Sequence, residues 1–224
     1  MKYYCFALIF NLLSLNSFSQ VQWSLFAGPQ ASSAHYVISD KKQSTEMKFG
    51  FQLGGGLDVQ WENRLYFSPQ VFYSMKGYKV KLTRSSFPPD SLAIDNDVTM
   101  HSFEFATLLH YNFSDNPSHF FMRLGPSIDV QLYGKEQFNK SNGESVNRKM
   151  KFSYGDYGHF GANIIVHAGY ESAGGLMVYG QYGLGIGSIV NTDSGPIVTH
   201  RVAGITIGYH FKRKNIIIDT RNRE

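Results

Sequence analysis

The chain has 224 residues, a length that suits one domain, with 42% hydrophobic, 15% aromatic and only 17% charged residues. A net charge of +4, carried mostly in expected loops and the tail, offers no clustered basic face with stacking aromatics, which excludes nucleic acid as a partner. The one cysteine, Cys5, falls in a segment expected to be removed, so disulfides, thiolate metal sites and cysteine nucleophiles are excluded from the mature chain.

Residues 1–19 read as a secretory signal peptide: Lys2 gives the charged start, residues 6–15 an apolar core too short to span a bilayer, and Ser17 and Ser19 the small residues before Gln20. Cys5 lies too near the start to be a lipidated cysteine, because no apolar region precedes it. No later apolar run reaches ~18 residues, so no transmembrane helix is expected.

From residue 20 onward, alternation bounded by turn formers predicts eight strands, near residues 21–33, 48–61, 65–82, 99–113, 119–135, 157–170, 176–189 and 199–211. The fourth is the most telling. Phe103, Phe105, Thr107, Leu109, Tyr111 and Phe113 share one face against Ser102, Glu104, Ala106, His110 and Asn112, with Leu108 the one misfit. Such a continuous apolar face suits lipid outside and a polar interior behind, and only a closed barrel lets strands cross a bilayer with no unpaired backbone groups. The same parity puts Phe49, Phe51, Leu53, Phe67, Val71, Leu124, Ile128, Ile164, Val166, Leu184, Ile205 and Ile207 toward lipid.

The connections at residues 62–64, 114–118 and 171–175 are short, whereas those at residues 34–47, 84–98, 136–154 and 190–198 are long and polar. Short periplasmic turns, long external loops and an even strand count predict an all-β, eight-stranded antiparallel up-and-down barrel over residues 20–211, with both ends in the periplasm. Trp23, Trp61, Tyr111, Phe113, Phe120, Tyr170, Tyr209 and Phe211 then form a periplasmic aromatic girdle. Pro69 and Pro126 fall inside expected strands and call for a bulge at each. Gly54, Gly55, Gly56, Gly183, Gly185 and Gly187 mark candidate bends.

The opposite parity gives the lumen: Gln52, Asp58, Gln70, Lys76, Glu104, His110, Arg123, Asp129, Asn163, His167, Gln181 and His210. Eight strands enclose just enough room for their side chains, so a packed polar core with no open channel is expected. Glu104, Arg123 and Asp129 lie on adjacent strands and form the candidate charge cluster, an ion-pair network because buried charges need partners. The histidines show no metal-binding spacing, and His101 and Ser102, being adjacent on a strand, point to opposite faces and make a poor hydrolase pair. Gly183, Gly185 and Gly187 lack the helix and acid that a nucleotide site requires. Neither a catalytic residue, a cofactor nor a metal is expected. The lysines and arginines at the outer strand ends, among them Lys79, Lys81, Lys135, Lys140 and Lys149, suit lipopolysaccharide phosphates or a solvated loop surface equally.

Residues 65–77 (LYFSPQVFYSMKG) resemble the f-x-x-P-E-l-x-Y-x-x-K-G segment of the PorT-like outer-membrane β-barrel family. Phe26-Ala27-Gly28, residues 48–53 before a short turn, and residues 122–128 with their aliphatic-Gly-Pro core are similar as well. The resemblance implies an eight-stranded outer-membrane barrel, and one branch of that family assists the type IX secretion system. The expectation is a non-enzymatic outer-membrane barrel with a structural or interaction role; a secretion accessory comes second and a lipid-modifying enzyme third. Expected partners are outer-membrane lipid and lipopolysaccharide, the barrel-assembly machinery, and secretion or other envelope proteins. Residues 204–211 (GITIGYHF) resemble a C-terminal assembly signal with Tyr209 and Phe211 as its aromatics, and the charged residues 212–224 are expected to form a periplasmic tail.

Overall fold

The computed structural model describes residues 21–211. Its strands are β1 (Val21–Ile38), β2 (Lys41–Lys42), β3 (Ser44–Glu62), β4 (Leu65–Lys81), β5 (Asp95–Asn112), β6 (His119–Asn139), β7 (Ser145–Lys149), β8 (Phe160–Glu171), β9 (Leu176–Gly185) and β10 (Ile197–Phe211). All pairings are antiparallel; leaving aside the short β2 and β7, each strand pairs with the next, and β10 closes onto β1 in a register running from Trp23 opposite Phe211 to Val37 opposite Ile197. This is the eight-stranded barrel expected from the sequence. Closure gives each spanning strand two neighbours, so no row of backbone donors faces lipid. β2 extends the first outer hairpin and β7 pairs with the outer end of β6. The expected signal peptide, Cys5 and the tail lie outside the described residues.

The polarity of the strands inverts along their length. Near the rim that holds Val21 and Phe211, the outward side chains are apolar and exposed, including Leu25, Phe67, Phe105, Leu109, Leu124, Ile128, Ile205 and Ile207. Phe49 is 86% exposed, an openness that water would not favour and a lipid tail does. Inward over the same span lie buried Gln52, Asp58, Lys76, Glu104, Arg123 and Asp129. Toward the far end the inward side chains become Tyr36, Ile38, Tyr78, Val80, Val98, Met100, Phe138 and Val198, one apolar cluster, while Lys79, Lys81, Asp97 and Lys135 turn outward. The outer solvent has changed from lipid to water, and the strand pattern changes sign with it. For that reason β1, β3, β5 and β6 run several residues beyond their predicted outer ends.

Leu108, the misfit in parity, is fully buried inside with Phe26, Phe72, Ala106 and Ile165. The interior therefore carries an apolar belt between polar layers, a correction to the wholly polar lumen expected. Nor do Pro69 and Pro126 need bulges: Pro69 stays in register with Thr107, and Pro126 with Ile164. Each has its gap on the other side, where the β3 ladder skips from Gly56 to Val59 and the β5 ladder from Ala106 to Leu109. A strand residue directs its N–H to one neighbour only, so proline costs a bond on one side and leaves the register intact. The register shifts fall elsewhere, between Met47 and Gln52, between Gln60 and Glu62, and beside His101. Gly54 is required by packing: a Cβ there would sit 2.2 Å from the Cβ of Phe72.

At the lower rim the turns are tied together. Arg64 in the first pairs with Asp115 in the second, and the Ser118 hydroxyl accepts the Ala173 N–H of the third at 2.9 Å. Gly175 closes that third turn with φ +92°, where a side chain would also strike the His210 carbonyl. The girdle residues are all exposed around this rim, with Tyr111 on Phe113 at 5.4 Å, Phe120 on Tyr170 at 5.2 Å and Tyr209 on Phe211 at 5.1 Å.

Candidate functional site

Two charged layers fill the lumen, separated by the apolar belt. In the layer nearer the outer face, β4 projects Lys76, β5 Glu104, β6 Ser127 and Asp129, and β8 Asn163; Glu104 and Asp129 are direct cross-strand partners. The Lys76 Nζ donates to both oxygens of Asp129 at 2.7 Å and to Glu104 Oε2 at 3.1 Å. Ser127 Oγ donates to Glu104 Oε1 at 2.5 Å, while the Asn163 amide reaches Asp129 Oδ2 at 3.0 Å and Glu104 Oε1 at 3.2 Å. One ammonium thus bridges two carboxylates, and the neutral donors Ser127 and Asn163 occupy further lone pairs.

The layer nearer the periplasm is centred on Asp58 of β3. Its Oδ2 meets Arg123 Nη2 at 3.3 Å, His110 Nδ1 at 2.9 Å and His210 Nε2 at 2.7 Å. His210 Nδ1 lies 2.7 Å from Glu171 Oε2, and the Arg123 guanidinium sits over Phe121 at 4.8 Å. A vestibule of about 340 Å³ opens below it, lined by Asp58, His110, His119, Glu171 and the turn residues. Between the layers the Gln52 and Gln181 side-chain amides donate to each other at 2.5 and 2.8 Å, and Gln181 also donates to Gln30 at 3.2 Å.

The expected cluster is therefore divided. Glu104 and Asp129 do lie together, but Arg123 pairs with Asp58 and their cation is Lys76. Parity assigned Arg123 to the right face without its depth: it stands six residues from Asp129 along β6, ~20 Å at strand rise. Lys76 is legible as inward but not as the bridging group; the β4 register sets it opposite Met100, at the inner edge of the outer cluster. Tyr209 and Phe211 lie outward and exposed at the lower rim.

The outer end carries a plug. Residues 82–94 and 150–158 fold over the mouth, contributing Leu82, Ala93, Met150 and Tyr157 to the apolar cluster. Tyr157 and Arg148 converge on Glu136 at 2.9 and 2.7 Å, and Tyr36 bonds Ser86 at 2.9 Å. At its edge the Leu92 N–H, and after it the Lys140 ammonium, hold the Asp90 carboxyl below the usual range. His101 and Ser102 are parted as expected: Ser102 is buried and bonds the Ser74 carbonyl at 3.4 Å, whereas His101 lies outside against Tyr73. Among the described residues no group of three histidines, cysteines or acids is arranged to hold a metal ion.

A family model described as outer membrane protein beta-barrel domain matches residues 10–191. Among solved structures, the attachment invasion locus protein Ail of Yersinia pestis is 12% identical, with 86% of this chain and 99% of that chain covered at a TM-score of 0.45. OprG from Pseudomonas aeruginosa is 12% identical, with 87% and 97% covered at 0.43, and Neisserial surface protein A is 14% identical, with 83% and 96% covered at 0.39. No curated protein matches the chain.

Proposed function

Because the chain belongs to the outer membrane protein beta-barrel domain family and so resides in the bacterial outer membrane, we propose that it is a sealed, non-enzymatic barrel with a structural or interaction role in the envelope. The observation that carries this reading is the double closure of the lumen, by the Lys76, Glu104 and Asp129 bridge within the membrane and by the apolar plug above it. A barrel closed twice is poorly suited to conduct solutes and presents instead a water-exposed extension of its strands. Its partners on this reading are outer-membrane lipid and lipopolysaccharide, other envelope proteins met through the extension, and the barrel-assembly machinery, which reads Tyr209 and Phe211. The separation of His101 from Ser102 speaks against a lipid-modifying hydrolase. In planar lipid bilayers the refolded protein should give no unitary current steps. A stable, reproducible conductance would overturn the sealed reading.

A second reading, an accessory of type IX secretion, is favoured by the PorT-like segment at residues 65–77. Much of that segment serves the barrel itself, since Lys76 bridges two carboxylates and a Cβ at Gly77 would lie 2.1 Å from the Val98 carbonyl oxygen. The resemblance thus speaks more for architecture than for secretion. Crosslinking in intact cells separates the two: recovery of secretion components favours the second, and recovery of lipopolysaccharide with no such component favours the first.

A further inference from the structure

We propose that Lys135 and Lys149 form a docking site for a phosphate of the lipopolysaccharide in the outer leaflet. The inference rests on the outer-membrane reading above and names the lipid contact within it. Lys135 of β6 stands directly opposite Lys149 of β7, and both are exposed on the outward face. Like charges directly opposed weaken a strand pair, so such a pair needs an anion nearby. Most of the other cations on this extension have one: Lys48 and Lys79 share Asp97, Lys81 faces Glu46, Lys140 has Asp90 and Glu144, and Arg148 has Glu136. Among the described residues Lys135 and Lys149 have no carboxylate partner.

Depth identifies the missing anion. Leu132 is the last exposed aliphatic residue of β6, and Lys135 lies three residues beyond it. That is ~10 Å along the strand, or roughly 7 to 8 Å along the membrane normal at a tilt of about 40°. The polar headgroup layer beyond the hydrocarbon is roughly 5 to 8 Å thick on each side, so both ammoniums reach its phosphates. Below them runs an aromatic row of Tyr73, His101 and Tyr133, with ring centroids 6.0 and 5.7 Å apart, and the Lys149 Nζ lies 5.9 Å from the Tyr133 ring. Aromatic side chains of this kind settle at a membrane interface. The pair is exposed on the outward face, at the level where lipid gives way to water, and lysines bind a phosphate as point charges.

The test uses full-length refolded protein and native mass spectrometry with bisphosphorylated lipid A as the probe. Wild type and Lys135→Arg/Lys149→Arg should retain the lipid. Lys135→Gln/Lys149→Gln should lose retention at least tenfold, and Lys41→Gln/Lys42→Gln, with the same charge change at the outer hairpin, should retain it. Millimolar inorganic phosphate should not displace the lipid. Equal retention by the Lys135→Gln/Lys149→Gln protein, equal loss in the hairpin control, or displacement by inorganic phosphate would each overturn the site. Heat-dependent gel mobility of the same samples reports the barrel separately: a wild type without a folded band would defeat the outer-membrane reading, and the site with it.

Discussion

Replacing Lys76 by methionine removes one buried ammonium while nearly keeping its volume, and the expected outcome is a large loss of stability. Its side chain is 1% exposed, with Asp129 at 2.7 Å and Glu104 at 3.1 Å. At an effective dielectric of ~20, a charge contact near 3 Å is worth roughly 5 to 6 kcal/mol before desolvation. Removing one member of such a group strands the others, at a net cost of about 3 to 5 kcal/mol. Lys79→Met, which breaks an exposed pair with Asp97 at 3.3 Å, should cost only ~0 to 1 kcal/mol. Lys76→Met/Glu104→Gln/Asp129→Asn, with no ion left to compensate, should recover most of the loss. Folding into short-chain phosphatidylcholine vesicles across a urea series measures this, read by gel mobility and by the fluorescence of Trp23 and Trp61, the two tryptophans of the chain. Equal urea midpoints for Lys76→Met and Lys79→Met, or a triple variant no better than Lys76→Met, would refute the reasoning.

Arg123→Met should destabilise the barrel by a similar ~3 to 5 kcal/mol, and Asp58→Asn should relieve it where Glu104→Gln does not, as read from the same urea series. Rescue by Glu104→Gln would restore the single cluster expected from the sequence. Gly54→Ala should cost about 1 to 3 kcal/mol in the same urea series, and Phe72→Ala in the double variant should bring no relief, because the new methyl meets the Phe72 Cβ and the Val71 carbonyl, which alanine at position 72 leaves in place. Tyr209→Ser with Phe211→Ser should leave unfolded chain open to periplasmic proteases, whereas deletion of residues 212–224 should preserve the heat-modifiable folded band in outer-membrane fractions. The opposite pair of outcomes would move the assembly signal into the tail.

The barrel was legible because alternation is a local property. In β5, Phe103, Phe105, Leu109 and Tyr111 declare their face whatever the partner strand, and the short turns at residues 62–64 and 114–118 then leave little choice of neighbour. Depth was less legible. Glu104, Arg123 and Asp129 share a face, yet which of them meet depends on stagger between strands, a quantity carried by the closure of the whole sheet. Lys76 escaped for the same reason: nothing within β4 says that its ammonium lies between Asp129 and Glu104. The prolines need no bulge because Pro69 and Pro126 each face only one neighbour with the missing N–H, a one-sidedness that a single strand's sequence does not display.

The outer strand ends were misplaced for a deeper reason, and it bears on function. A pattern of apolar residues facing outward holds only while lipid is outside. Beyond Gln30 and Ser32 on β1, and beyond Ser102 on β5, the inward positions turn to Tyr36 and Ile38 and to Met100 and Val98. A single parity ends the expected strands near there, at residues 33 and 99, although the hydrogen-bonded ladder continues to Val37 opposite Ile197 and to Asp95 opposite Lys81. Above the bilayer the same strands enclose a small water-soluble barrel with an apolar core of its own. Such a core stabilises loops that a bare membrane barrel would leave loose, which makes the outer surface a firm platform. An open pore gains nothing from burying Tyr36, Tyr78, Phe138 and Tyr157 across its mouth, whereas the sealed barrel proposed above gains rigidity from it.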